Sequence, residues 1–251
     1  MSSDKKRFAL VTGGAGDIGG AITSTLSAAG YEVTILDLVD QAVGDVRASS
    51  LQRIGAVRFV RASTADLDEV ARVVASMPGL DLAVMCAGTV TAEPFLDIDL
   101  ASWQRQLEVN LTGAFIVSQR AAQRMVSDGT PGSLIFISSW VAARPWPEIA
   151  AYSSSKAGMD QLMRQAALEL SPFRIRANSV APGIVMAGLA KSQFENEPQY
   201  AERASASIPL GTPQTAQQVA DAVGYLASDA STSMTGSVLL VDAGCSLGTM
   251  A

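Results

Sequence analysis

Residues 8–20 read FALVTGGAGDIGG, and the way this stretch folds decides the rest. FALVT (8–12) is a short apolar run that fits a buried strand. Glycines follow at 13, 14, 16 and 19. Ile22 and Leu26, four apart, then set a helical pattern that Gly30 ends. Strand, glycine loop and helix in that order form the context in which amides at a helix start face a pyrophosphate. Asp17 complicates this reading, because such loops usually carry a glycine there to let the backbone approach the phosphates. A carboxylate aimed inward would repel them. The expectation is therefore an outward Asp17 that caps amides of its own helix and gains from the helix dipole. Gly16 supplies the backbone freedom, and the Ile18 N–H stays turned to the phosphates.

Composition narrows the function classes. The chain has 251 residues, 48% hydrophobic and 17% charged, enough apolar content for a sizeable core. The whole of 1–251 reads as a single α/β domain. A net charge of −6 argues against nucleic acid or an anionic membrane as partner. No apolar run approaches the roughly 20 residues that span a bilayer, and the first residues do not form a signal peptide. A cytoplasmic location is expected. There is no histidine, and Cys86 and Cys245 are the only cysteines. That leaves no His-based triad, no disulfide framework and no metal-ligand set.

Beyond the first loop the chain alternates. YEVTILD (31–37), VRFV (57–60), LDLAVMCAG (80–88), SLIFIS (133–138), RIRANSVAP (174–182) and SVLLVDAG (237–244) read as strands. Helical patterns lie between them at 66–77, 101–127, 152–170 and 215–228, the second broken near Asn110. This alternation predicts a doubly wound Rossmann fold: a parallel sheet of about seven strands with helices on both faces. Residues 186–212, with Pro198, Pro209 and Gly211, read as an irregular insert placed to cover the crevice beyond the strand ends.

Two further features bear on chemistry. Asp37 ends the second strand, 18 residues after Gly19, where an acid accepts hydrogen bonds from the adenosine ribose and repels a 2′-phosphate. Leu38 follows, with no arginine or lysine expected nearby, which favours NAD over NADP. In YSSSK, Tyr152 and Lys156 are four apart and share one helix face. A phenol is a poor base near neutrality, and a neighbouring ammonium is expected to lower its pKa. The pair suits proton transfer in alcohol oxidation or carbonyl reduction.

With these residues in register, the chain resembles the short-chain dehydrogenase/reductase family over nearly its whole length. The resemblance implies a tetrad of Asn110, Ser139, Tyr152 and Lys156. Ser139 would hold the substrate oxygen, Tyr152 would move the hydroxyl proton and Lys156 would bind the nicotinamide ribose. Asn110 would order a relay water. It also implies a nicotinamide cofactor over Gly13, Gly16, Asp17, Ile18 and Gly19, with Pro182–Gly183 and Val185 on the far side. Ala87 and Gly88 would approach the ribose. Met85 and Cys86 replace the asparagines common before them, which predicts altered local hydrogen bonding. Ser63 and Thr64 stand where an Asp-Val pair often meets the adenine, and Ala187 replaces a threonine that often touches the carboxamide.

The loop WVAARPWPEIAA (140–151) suggests the substrate. Trp140 and Trp146 are expected to flank it, with Arg144 and Glu148 binding hydroxyls or a carboxylate. That points to a small polar secondary alcohol, polyol or sugar. A thioester reductase of the same fold and a non-catalytic NAD-binding regulator are the alternatives. The small residues along 101–127 and 152–170 resemble the helices that pair in the family's homotetramers.

Overall fold

The computed structural model describes residues 6–248. Seven strands form one parallel sheet in the order β3-β2-β1-β4-β5-β6-β7. They are β1 (Arg7–Thr12), β2 (Tyr31–Asp37), β3 (Val57–Arg61), β4 (Leu82–Met85), β5 (Gly132–Ile137), β6 (Ile175–Pro182) and β7 (Val238–Val241). The helices are α1 (Asp17–Ala28), α2 (Gln41–Leu51), α3 (Leu67–Ala75), α4 (Leu100–Leu107), α5 (Gly113–Ser127), α6 (Ala150–Leu170), α7 (Gly188–Asn196), α8 (Pro198–Ala206) and α9 (Ala216–Leu226).

The period-two alternation of strand side chains divides the core. Leu10 of β1 and Leu134 and Phe136 of β5 pack with Val73 of α3, Val117 of α5 and Met159 of α6. Their neighbours Ala9, Val11, Ile135 and Ile137 face the opposite way, against Ile22 and Leu26 of α1 and Val219 and Val223 of α9. Both sheet faces are therefore covered, which is why the strands read as unbroken apolar runs.

Two departures from the sequence reading, and one expectation met, concern the site. The run 80–88 is strand only over Leu82–Met85. Beyond it the amides of Cys86 and Ala87 both donate to Thr12 Oγ1, each at 3.0 Å, rather than to a ladder. The 101–127 helix is interrupted as expected, and Glu108–Thr112 forms a π turn between α4 and α5. The 186–212 segment is not irregular: it holds α7 and α8. Pro198 opens α8, where its missing N–H costs nothing. Each helix has nine residues and few apolar positions, so the period was too weak to read. Among the described residues no helix is long and apolar enough to cross a membrane.

The glycine loop is sterically fixed. Gly13 has φ 65°, and a Cβ there would lie 2.8 Å from Ala87 Cα. A Cβ on Gly19 would lie 2.2 Å from Gly13 O, a backbone atom that cannot swing aside. Gly19→Ala is expected to lower unfolding stability in urea by about 1–3 kcal/mol and to abolish dinucleotide binding, both measurable on the purified protein.

Candidate active site

The strand order reverses direction between β1 and β4, and the loops leaving the carboxyl ends of the strands part there. They enclose a cleft of about 730 Å³. Every position expected on the cofactor side lines it, from Gly13, Gly16, Asp17, Ile18 and Gly19 through Asp37, Leu38, Ser63, Thr64, Ala87 and Gly88 to Pro182, Gly183 and Val185. Asp37 closes the adenine end. Its Oδ2 accepts from Ala15 N at 3.1 Å and its Oδ1 from Leu38 N at 2.7 Å, leaving lone pairs for ribose hydroxyls. Contrary to the sequence expectation, a cation does lie close by. Arg61 Nε donates to Leu38 O at 3.3 Å, because β3 pairs with β2 and sets Arg61 opposite Asp37. Arg61 is exposed and does not line the cleft.

Asp17 also departs from expectation. Its side chain does not cap α1; Gly16 is the N-cap and no side chain bonds there. Instead Asp17 Oδ2 accepts from Gly188 N at 3.1 Å, the first residue of α7. The carboxylate thus reaches across the mouth of the cleft and caps a different helix, one that has no side-chain cap of its own. This offers two helix N-termini to the same charge, which the α1 dipole alone would not have predicted.

At the other end, Tyr152 and Lys156 stand one turn apart on α6, and Ser139 lies just past β5. Ser139 and Tyr152 both line the cleft, and the serine hydroxyl pulls the Tyr152 phenol downward. Lys156 is buried, donates to Ile137 O at 2.7 Å and holds its Nζ 5.5 Å from the Tyr152 ring centroid. Burial pushes the phenol up to about 12, against the downward pull of Ser139, and the same burial pushes the ammonium down to about 8. The expected lowering of the phenol by Lys156 does not appear, because desolvation is the largest influence on Tyr152 and raises it. Cys86 lines the cleft as a neutral thiol, raised to about 12 by burial.

Asn110, fully buried in the π turn, does not line the cleft. Its Nδ2 donates to Thr89 O at 2.9 Å and to Ser155 Oγ at 3.0 Å, and its Oδ1 accepts from Thr89 N at 2.8 Å. One donor clamps the loop after β4 and the other is spent on Ser155 of α6. The side chain positions that loop instead of presenting donors to a relay water.

A smaller compartment of about 130 Å³ opens off the cleft and shares Ser139 and Tyr152 with it. Trp140 and Trp146 line it edge to face, with ring centroids 5.4 Å apart. Arg144 and Glu148 do not: both are exposed and outside the lining. Glu148 sits at φ 66° with its carbonyl accepting from Glu93 N, so the turn that brings Trp146 in turns Glu148 out. In their place come Gln193 of α7 and Tyr200 of α8, which sequence reasoning missed with the helices that carry them. Tyr200 and Arg203, three apart, were the available signal. Thr12 and Ser138 were missed as well. Ser138 Oγ lines the cleft buried and without a partner, a polar atom suited to a polar ligand.

The donor set fits a nicotinamide dinucleotide: an uncapped α1 start, an acid at the end of β2 and an orphan hydroxyl. Among the described residues no cluster could hold a metal ion. A family model described as "Enoyl-(Acyl carrier protein) reductase" matches residues 13–246. The chain is 34% identical to "Carbonyl reductase [NADPH] 2" of Sus scrofa, over 94% of this chain and 95% of that protein. It is 33% identical to "L-xylulose reductase" of Mesocricetus auratus, over 95% and 96%. The crystal structure of gox2181 superposes with a TM-score of 0.92 at 33% identity, covering 97% of this chain and 96% of that one.

Two outcomes follow from the geometry. If Asp17 caps α7, the Gly188 amide exchanges about tenfold faster in Asp17→Ala, while Asp17→Asn, whose Oδ1 still accepts, keeps most of the protection; equal exchange in all three proteins would refute the contact. The buried Lys156 sets a pH signature. Its pKa is about 8 folded against 10.5 unfolded, so between those values the unfolded chain binds more protons and stability rises with pH. Lys156→Met is expected to raise Tm near pH 7 and to erase the rise between about pH 8 and 10 seen with the wild type.

Proposed function

The chain belongs to the short-chain dehydrogenase/reductase family and is an alcohol/ketone oxidoreductase, and on that premise we propose that it works with NAD(H) on a small secondary alcohol or ketone. The observation that carries this reading is the placing of Ser139 and Tyr152 together at the junction of cleft and compartment, with Lys156 buried beside the Tyr152 ring. A substrate oxygen in the compartment meets both hydroxyls. Ser139 holds it, and Tyr152 Oη accepts its proton in oxidation or donates one in reduction. Lys156, tied to Ile137 O, keeps positive charge beside the ring and favours the phenolate as it forms. Asn110 keeps Thr89 and the loop after β4 in place. When bound, the nicotinamide supplies the hydride acceptor or donor, and the α1 amides and Asp37 are the groups that would hold its pyrophosphate and ribose.

Asp37 supports NAD, since a carboxylate at that strand end repels a 2′-phosphate. One relative's name specifies NADPH, and comparing the two cofactors directly decides between them. The aromatic compartment supports a small alcohol, polyol or sugar whose ring face packs on tryptophan. The exposed Phe115 of α5 and Leu168 of α6 support pairing of these helices between copies in a homotetramer, with α7 and α8 as a cover over the site.

Tyr152→Phe should lose at least about 100-fold in turnover yet still bind NAD, which separates a catalyst from a binding module. Asp37→Asn should lower the ratio of kcat/KM with NAD to that with NADP by about tenfold, roughly 1.4 kcal/mol. A wild type that prefers NADP would overturn the cofactor assignment.

A further inference from the structure

The compartment beside Tyr152 has no charged lining, yet one unpaired cation stands directly behind its wall. Arg203 of α8 places its guanidinium 5.0 Å from the Trp146 ring centroid and 5.9 Å from that of Tyr200, and both rings line the compartment. Its Nε is buried with no hydrogen-bond partner. Among the described residues Arg203 donates no side-chain hydrogen bond and lies in no ion pair, although guanidinium carries five donors. Stacking on aromatic faces compensates part of a desolvated charge. It leaves the buried Nε–H without an acceptor, which is costly, and among the described residues no protein group pairs with the rest of the fork.

The rest of the compartment shows what would satisfy it. Ser139 and Tyr152 occupy one end and take the reacting oxygen. About 130 Å³ leaves room for roughly four or five waters' worth of substrate, so the molecule is compact. The edge-to-face tryptophans and Tyr200 make walls suited to a ring or a short branched carbon frame. Gln193 adds the one side-chain amide. Against the outer faces of Trp146 and Tyr200 lies the Arg203 charge.

Resting on the oxidoreductase reading above, we propose that Arg203 is the specificity-determining residue for a carboxylate at the end of the substrate remote from the reacting carbon. The preferred substrates are then compact secondary hydroxy acids and their oxo acids. The carboxylate leaves the compartment between Trp146 and Tyr200 and takes the fork of the guanidinium, a geometry in which arginine binds two oxygens at once. Arg144, the arginine that the sequence singled out for an acid, faces solvent, and Arg203 takes over that part from the opposite side. The position on α8 also ties recognition to closure, because the guanidinium arrives on the same segment that contributes Gln193 and Tyr200.

The test compares an oxocyclohexanecarboxylate with its uncharged carboxamide, in the wild type, Arg203→Met and Arg203→Lys. In the wild type kcat/KM is expected to favour the carboxylate by at least about tenfold, carried mostly by KM. Arg203→Met should remove that preference, and Arg203→Lys should keep part of it, since the charge survives and the fork does not. The same pair is titrated by quenching of tryptophan fluorescence, a readout that needs no turnover. A wild type that binds acid and amide alike, or a preference that survives in Arg203→Met, overturns the proposal. A purely structural Arg203 would lower Tm on replacement and leave the acid-to-amide ratio unmoved. If the acid binds selectively through Arg203 but neither compound is turned over, the oxidoreductase reading fails and the recognition stands. If neutral ketones are turned over without preference for the acid, the recognition alone fails.

Discussion

The site depends on what happens where β1 and β4 part. Their connections leave in opposite directions, so nothing in the sheet continues between them and a crevice is unavoidable. The Thr12 hydroxyl holds its edges. It accepts from Cys86 N and Ala87 N and donates to Val84 O at 3.4 Å, taking the place of ladder bonds that the diverging strands no longer make. Gly13, bonded through its N–H to Leu36 O at 2.9 Å, then passes against Ala87 with no room for a side chain. The cleft, the glycine loop and the placing of Gly88 near Asn110 and Lys156 all follow from this narrow crossing.

Much of this was legible in the sequence, for identifiable reasons. Long buried strands in a parallel sheet show as apolar runs, and the loop glycines show because close backbone approach tolerates little else. The break near Asn110 showed because asparagine is a modest helix former, and the structure answers with a π turn. Tyr152 and Lys156 lie within one helix, so spacing alone brought them together. What failed was non-local. Arg203 reaches Trp146 across the packing of α8 on the loop before α6, and no spacing encodes that. Arg144 and Glu148 lie close to Trp146 in sequence, yet both are exposed outside the compartment, Glu148 at a left-handed turn. The partner of Asp17 could not be read because it lies on a helix whose own period was too weak to see.

Burial acts on Tyr152 and Lys156 in opposite directions but with one effect, since it drives each toward its neutral form. The site therefore sets unfavourable solvation on the charged forms of the two groups proposed to exchange protons or stabilise charge. Such a penalty is common where function needs it, and the surrounding core offsets its cost. Ser139 moderates it on one side. On the other, the Ile137 carbonyl, at the carboxyl end of β5, accepts from the Lys156 ammonium.

The contact between Asp17 and Gly188 spans 171 residues, from the first loop to the helix after β6. During synthesis the glycine loop leaves the ribosome early and has its half of the cleft to itself while β5, α6 and β6 are still being made. The acid at position 17 then sits at a helix start without the Gly188 amide it accepts from in the finished fold. Only a chain extended past residue 188 can turn that charge to a structural use, which ties completion of the cofactor cleft to near-completion of the polypeptide.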